Sequence, residues 1–317
     1  MKAMSIDGYG GSDRLKLGDM PDPVPAADEI VVRVRAAGVN PVDWKIRKGQ
    51  MWPLVRLHFP YIPGADVAGE VLRVGSRVTK FKPGDQVIAF VDATRGGGYA
   101  ELAAVSESAA APKAASLTFA EAASLPIAAG AALQALRDSG GLKPDDKVLV
   151  LGGSGGVGHF AVQIAKALGA WVAATCSAAN VDFVRSLGAE LVIDYGKEDF
   201  TRRPERYDVI LDAVAKSSFA ECRPLLLPGG TYVTTVPGPD LLAWAGWGYL
   251  AGLLGPTRKA RFILVSRRGE DLALLGRWAD EGKLKPTISR VFPLDRAADA
   301  QEASQSGHTR GKIVLEL

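Results

Sequence analysis

Two kinds of apolar pattern divide the chain. Residues 29–37, EIVVRVRAA, alternate apolar and polar side chains with period two, which predicts a half-buried strand. Residues 66–74 and 86–91 predict further strands. Pro21-Asp22-Pro23, Pro63-Gly64, Pro83-Gly84-Asp85 and Gly96-Gly97-Gly98 punctuate this region as turns. Short strands with such punctuation predict a partly open antiparallel barrel, assigned to a first domain of residues 1–118.

Beyond Ser116 the pattern changes. Residues 117–139 are alanine-rich and helical, interrupted by Pro126. Predicted strands at 148–151, 171–175, 191–194, 208–213, 231–236 and 261–265 then follow one another, with helices after residue 157 and over 181–187. Alternation of this kind implies a parallel sheet covered on both faces. Six strands fit the doubly wound order 3-2-1-4-5-6 of a dinucleotide-binding domain, assigned to residues 119–266. A helix over 270–281, a strand over 287–292, a helix from Asp295 and a strand over 313–317 are expected to return to the first domain. The expected fold class is therefore α/β, a doubly wound parallel sheet plus a smaller β-barrel.

The organising stretch is 147–177, KVLVLGGSGGVGHFAVQIAKALGAWVAATCS. A buried strand runs into a turn in which Gly153, Gly155 and Gly158 satisfy G-x-G-x-x-G. An amphipathic helix follows, carrying Val157, Ala161, Ile164, Ala165 and Leu168 at helical spacing. Strand, glycine turn and helix in this order are the context in which the motif binds a dinucleotide. The first glycine allows the tight turn, the second lets a pyrophosphate approach the main chain, and the third lets helix pack on strand. Gly153, Ser154, Gly155, Gly156, Val157 and Gly158 are the candidate phosphate cradle, with unpaired N–H groups at the helix start. About 20 residues on, where NAD sites place a carboxylate, stand Cys176 and Ser177. Nothing there repels a 2′-phosphate, which favours NADPH, with Ser177 and Asn180 offering neutral hydrogen bonds.

Composition narrows the classes. The 317 residues carry a net charge of +3 with no Lys/Arg block, which argues against nucleic-acid binding. Two cysteines, Cys176 and Cys222, make neither a disulfide framework nor a zinc site by themselves, and fit a reducing cytosol. No signal peptide is expected. Residues 241–254, LLAWAGWGYLAGLL, are 14 apolar residues, short of the ~20 that span a bilayer. A buried helix or subunit contact is the expectation there, with a membrane-surface segment as the alternative. Of the histidines, His159 is expected to be packed or solvated, His308 belongs to a C-terminal motif, and His58 lies in a pocket-side loop over 52–61 with no partner in view.

Six short motifs carry a resemblance. They are Gly38-Val39-Asn40-Pro41-Val42-Asp43, Pro63-Gly64-Ala65-Asp66-Val67-Ala68-Gly69-Glu70 and Phe81-Lys82-Pro83-Gly84-Asp85-Gln86-Val87. Gly97-Gly98-Tyr99-Ala100-Glu101, the nucleotide turn and Gly307-His308-Thr309-Arg310-Gly311-Lys312 complete the set. In this order, over essentially the full length, the chain resembles the medium-chain dehydrogenase/reductase family in its zinc-independent quinone oxidoreductase branch. Asp43-Trp44-Lys45 and Asn180-Val181-Asp182-Phe183-Val184 are similar to the subgroup with organellar quinone oxidoreductase homologues.

The resemblance implies a GroES-like barrel joined to a Rossmann domain, an active site between them, and a homodimer formed through edge strand 261–265. It places Asn40, Ala65 followed by Asp66, and a position near Ala128 where zinc members of the family hold metal with Cys, His and Cys. No metal is expected here. Hydride delivery to quinones or α,β-unsaturated carbonyls is the implied reaction, since conjugation carries the incoming charge onto an oxygen. Asn40 then serves as an amide donor and Asp43 as an orienting group. Lys45 offers a cationic donor where many relatives have tyrosine. A turn around Pro41 competes for Asn40 and Asp43, and solvated surface charge competes for Lys45 and Arg47. Lys312 matches a pyrophosphate-binding basic residue and Tyr195 a tyrosine at the 2′-phosphate. Ala131 stands where related chains carry threonine. Two alternatives remain: an enoyl-thioester reductase with a basic mouth (Lys45, Arg47, Lys48, Arg56), and an NADPH-binding partner protein with little catalysis.

Overall fold

The computed structural model describes residues 1–52, 55–236, 257–307 and 309–317. The apolar stretch 241–254 and His308 lie outside the described residues. The strands are β1 (Lys2–Ser5), β2 (Lys16–Asp19), β3 (Glu29–Val39), β4 (Asp66–Val74), β5 (Gln86–Phe90), β6 (Leu102–Ser106) and β7 (Ala110–Pro112). They continue as β8 (Lys147–Leu151), β9 (Trp171–Cys176), β10 (Leu191–Asp194), β11 (Tyr207–Asp212), β12 (Leu226–Thr234), β13 (Lys259–Phe262), β14 (Ile288–Pro293) and β15 (Lys312–Glu316). The helices are α1 (Pro41–Arg47), α2 (Phe119–Ala123), α3 (Pro126–Gln134), α4 (Gly158–Ala167), α5 (Val181–Ser186), α6 (Phe219–Cys222), α7 (Gly269–Asp280) and α8 (Ala297–Gln305). No helix among the described residues is long and apolar enough to cross a membrane.

The chain forms two compact units. The first comprises residues 1–130, 266–282 and 286–317; the second comprises 131–265 and 283–285.

In the first unit a seven-stranded sheet runs β14-β15-β3-β4-β5-β7, with β6 also paired to β3. Its pairs are antiparallel except β14 with β15. Those two strands are parallel because α8 carries the chain back between them, as a crossover requires. The sequence pattern predicts β3 as half-buried. Instead Ile30, Val31 and Val32 are all excluded from solvent, because β3 pairs with β4, β6 and β15 and is covered on both faces. Only Arg33 and Arg35 keep the outward alternation.

The second unit is one parallel sheet in the order β10-β9-β8-β11-β12-β13. Counted within the unit, this is the expected 3-2-1-4-5-6. Its core gathers Leu149, Leu151, Ala173, Ile210, Leu225 and Tyr232. The central strands are apolar on both faces because helices cover both, as the unbroken run Val148–Leu151 predicts. Parallel pairing puts the C-terminal ends of β10, β9, β8 and β11 along one edge, which is where α/β sheets bind ligands.

Candidate functional site

The first unit's polar group begins at the end of β3. Asn40 leaves the strand with extended backbone, and Pro41 fixes the first helical φ of α1. Asp43 is the third helical residue, and its Oδ2 accepts the Asn40 main-chain N–H at 2.8 Å, which ties down the helix start. The Asn40 side chain is drawn elsewhere. Its Nδ2 donates to Asp66 Oδ2 at 2.8 Å, and its Oδ1 accepts from Lys312 Nζ on β15. Lys312 also donates to Val39 O at 3.2 Å and lies 3.8 Å from Asp66 Oδ2. Asp66 Oδ1 accepts the Ile127 N–H at 2.9 Å, at the start of α3. Tyr99 donates its hydroxyl to Asp43 Oδ2 at 2.9 Å. Asn40, Asp43, Asp66, Tyr99 and Lys312 are all buried.

Burial governs the electrostatics of this group. It raises the Asp43 carboxyl to about 7, against the hydrogen bonds from Asn40 and Tyr99. It raises Asp66 as well, opposed by the Lys312 charge and the hydrogen bonds from Asn40 and Ile127. Lys312 is pushed down by burial and held up by Asp66 and Asp43. The Tyr99 phenol is raised well above its ordinary range by burial and the neighbouring Asp43. Tyr99 therefore stays protonated and acts as a donor.

Arg47 extends the same group. It is fully excluded from solvent, so the reading of Arg47 as solvated surface charge is corrected. Residues 43, 46 and 47 form the inner face of α1, which packs on α8. Arg47 Nε donates to Gln301 Oε1 at 2.7 Å and Nη1 to Gly10 O at 2.6 Å. Lys45 is not brought into this group: its Nζ stands 5.6 Å from the centre of the Trp44 ring, and so does Lys48 Nζ.

In the second unit the glycine turn joins β8 to α4. Gly153 N–H bonds Thr175 O at 2.8 Å, and Gly155 N–H closes back on Gly152 O at 3.0 Å. A methyl group at Gly158 would run into Gly152 O, so the close approach of helix to strand needs glycine there. Gly155 differs: among the described residues a methyl group would meet only Gly152 O, at 3.4 Å. No described residue demands a glycine at 155, whereas a pyrophosphate lying against the turn would, so the turn has the shape such a group needs.

The remaining nucleotide candidates meet on that edge. Ser177 follows β9, and Asn180 Nδ2 donates to Ser177 Oγ at 3.0 Å. Tyr195 follows β10, bonds Cys176 O through its N–H at 3.1 Å, and is 61 % exposed. Ser154, Gly156 and Val157 complete the turn between Gly153 and Gly158. Lys312 is a different case. Its ammonium is engaged within the first unit by Val39, Asn40 and Asp66. His159 is buried, with Nδ1 2.9 Å from Gly155 O, which agrees with a packed residue.

Sequence reasoning missed Asp66, Tyr99 and Gln301 as partners, although Asp66 and Tyr99 stand inside two of the motifs. It also missed Asp212, at the end of β11 beside the glycine turn. Asp212 accepts the N–H groups of Val214, Ala215 and Ser217 and the Tyr232 hydroxyl, shaping a loop in which Ala215 takes φ 52°. Val214 of that loop packs on Gly152. The signal was available in Asp212 itself, a carboxylate ending an apolar strand, which buried chains keep only with partners.

The donor set is poor for zinc. Asn40 and Asp66 offer one amide and one carboxylate, and Lys312 brings a cation to both of them. Zinc takes thiolate, imidazole or several carboxylates, and an ammonium in the same place repels it.

Two family models match the chain. Residues 26–115 match the alcohol dehydrogenase GroES-like domain, and residues 187–315 match the zinc-binding dehydrogenase model. The chain is 38% identical to the chloroplast envelope quinone oxidoreductase homolog of Arabidopsis thaliana, over 100% of this chain and 98% of that protein. It is 37% identical to the chloroplastic NADPH-dependent alkenal/one oxidoreductase of Arabidopsis thaliana, over 99% of this chain and 79% of that one. The solved quinone oxidoreductase of Coxiella burnetii superposes with a TM-score of 0.88 at 35% identity, covering 100% of this chain and 99% of that one.

Proposed function

Because the chain belongs to the medium-chain dehydrogenase/reductase family, in its quinone oxidoreductase branch, we propose that it reduces quinones and α,β-unsaturated carbonyls with a reduced nicotinamide dinucleotide. The observation that carries this reading is the uncrowded Gly155 in a turn at the start of α4, on the ligand-binding edge of the second unit. The turn 153–158 would hold the pyrophosphate, with Ser177, Asn180 and Tyr195 on the adenosine side. When bound, the nicotinamide supplies the hydride. The protein binds and orients it, and stabilises charge on the acceptor's oxygen.

NADPH is favoured over NADH. β9 ends at Cys176 and is followed by Ser177, neither of them a carboxylate, and the Tyr195 side chain is exposed. Asn40 is the donor for the acceptor's oxygen, oriented through Asp43 and Asp66. Lys45 lies apart, over Trp44, so we give it no role in proton delivery. The reaction proceeds without metal on this reading, because the Lys312 ammonium takes up Asn40 Oδ1 and neighbours Asp66. Cys176 and Cys222 are buried free thiols, in keeping with a reducing cytosol. β13, paired on one side among the described residues and with Phe262 exposed, is the edge through which a homodimer would form.

The test follows the reduced-nicotinamide absorbance while purified protein meets NADPH or NADH and a panel of quinones and enones. Turnover faster with NADPH is expected. No turnover on any acceptor, with either nucleotide, overturns the reading.

A further inference from the structure

The first unit buries a lysine, Lys312, beside a buried carboxylate. Lys312 is 3 % exposed and Asp66 0 %, and the Asn40 amide lies between them. An ammonium can only donate a hydrogen bond, and an ionised carboxylate can only accept one. The two ends of an asparagine amide are nearly the same shape, so partners alone decide which way it faces. Lys312 takes the oxygen, Oδ1, and Asp66 takes the nitrogen, Nδ2, at 2.8 Å. The amide therefore has one orientation. Of its two Nδ2 hydrogens, one goes to Asp66, and the other has no partner among the described residues.

We propose that Lys312 is a positioning residue: together with Asp66 it locks the Asn40 amide with its nitrogen on the Asp66 side, so that the remaining Nδ2 hydrogen is the one left for the acceptor's oxygen. This rests on the reductase reading above. It gives Lys312 a different task from holding the nucleotide pyrophosphate, which the sequence motif implies. Charge supports it. The ammonium compensates Asp66 at 3.8 Å and is enclosed by main-chain and side-chain oxygens of its own unit. Without it the amide is free to turn over and present a carbonyl, which repels the oxygen that gathers charge during reduction.

The variant Lys312→Met by itself strands a buried carboxylate, so it is paired with Lys312→Met/Asp66→Asn, which removes both charges and keeps the volume. Three quantities are measured on the double variant: kcat at saturating NADPH, the NADPH dissociation constant by fluorescence titration, and exchange of the Asn40 side-chain amide protons by NMR. The amide signals are assigned by their loss in Asn40→Asp. Locking predicts that kcat falls about 10²-fold, as for a misplaced catalytic group. NADPH affinity stays within about threefold, well under the tenfold that 1.4 kcal/mol represents. The Asn40 amide protons, protected in the wild type, become exchangeable. Tenfold weaker NADPH binding with wild-type kcat would assign Lys312 to the nucleotide and overturn the proposal. Unchanged amide protection would overturn it too. If the wild type reduces no acceptor at all, the reductase reading fails by itself, and the exchange measurement still decides whether Lys312 locks Asn40.

Discussion

The Tyr99 hydroxyl donates to Asp43 Oδ2 at 2.9 Å, and both side chains are shut off from solvent. The same carboxylate oxygen takes the Asn40 N–H, so Asp43 joins the start of α1 to the loop before β6. Burial outweighs these bonds and raises the Asp43 pKa to about 7, from the 3.8 of an unperturbed carboxyl. The folded protein therefore keeps a proton that the unfolded chain has already released near pH 4. Stability from this group is fully present below about pH 4 and is lost as pH rises through about 7. Asp43→Asn should remove that loss: its melting temperature relative to wild type should climb between pH 5 and pH 8. Tyr99→Phe deletes a hydrogen bond that holds the pKa down, so the wild-type transition should move to higher pH. Parallel stability curves for Asp43→Asn and wild type over this range would contradict the assignment.

Arg47 makes a second prediction, about stability alone. Its Nε and Nη1 bond Gln301 and Gly10, and no part of it is exposed. Burial lowers its pKa, countered by the charges of Asp13 and Glu302. Arg47→Ala leaves the buried Gln301 Oε1 and the half-buried Gly10 O without this donor, and a hole between α1 and α8. The expected cost is about 2–5 kcal/mol in urea unfolding, from unsatisfied acceptors at about 1–3 kcal/mol each plus lost packing. A solvated surface arginine would cost less than about 0.5 kcal/mol.

That contrast shows where sequence reading reached and where it stopped. Strands Asp66–Val74 and Leu191–Asp194 are legible to the residue, because period-two alternation and apolar runs are local properties. The order of the parallel sheet is legible from the alternation of strands and helices. α1 is not legible, although Asn40, Pro41 and Asp43 are a good helix start, because seven residues give too little periodicity. The short strands β1, β2, β6 and β7 escape for the same reason. The partners of Asn40 escape for another reason. Asp66 is 26 residues away and Lys312 is 272 away, and no local pattern says that a charge will be buried beside them. The glycine turn is different because its geometry depends on consecutive residues.

Nucleotide preference can be tested at the end of β9. Ser177 accepts from Asn180 at 3.0 Å and is itself uncharged, while Asp194 on β10 pairs in register with Cys176. Ser177→Asp supplies the carboxylate that bonds a ribose 2′-hydroxyl and repels a 2′-phosphate. The ratio of kcat/KM for NADPH to that for NADH should fall at least about tenfold, equivalent to about 1.4 kcal/mol. Ser177 is partly exposed, so the fold should tolerate the change. A ratio unmoved by the carboxylate would place the adenosine ribose away from Ser177.

Ligand access and packing, the requirements read at the second and third glycines of the turn, can be separated by the same substitution at two positions. At Gly158 a methyl group runs into Gly152 O, so Gly158→Ala must push α4 off β8. Overpacking of this kind costs about 1–3 kcal/mol, and nucleotide binding should weaken along with stability. At Gly155 the only neighbour among the described residues is Gly152 O at 3.4 Å, an ordinary contact, and Gly155 is not among the glycines with positive φ. Gly155→Ala should therefore unfold like wild type, within about 0.5 kcal/mol. On the proposed reading its methyl group stands where the pyrophosphate approaches the main chain, so the NADPH dissociation constant should rise about tenfold or more. Thermal melts without nucleotide and fluorescence titration with NADPH separate the two effects. Binding unaffected by Gly155→Ala would mean that the phosphates do not lie against this turn, and the assignment of the second unit as the nucleotide site would fall with it.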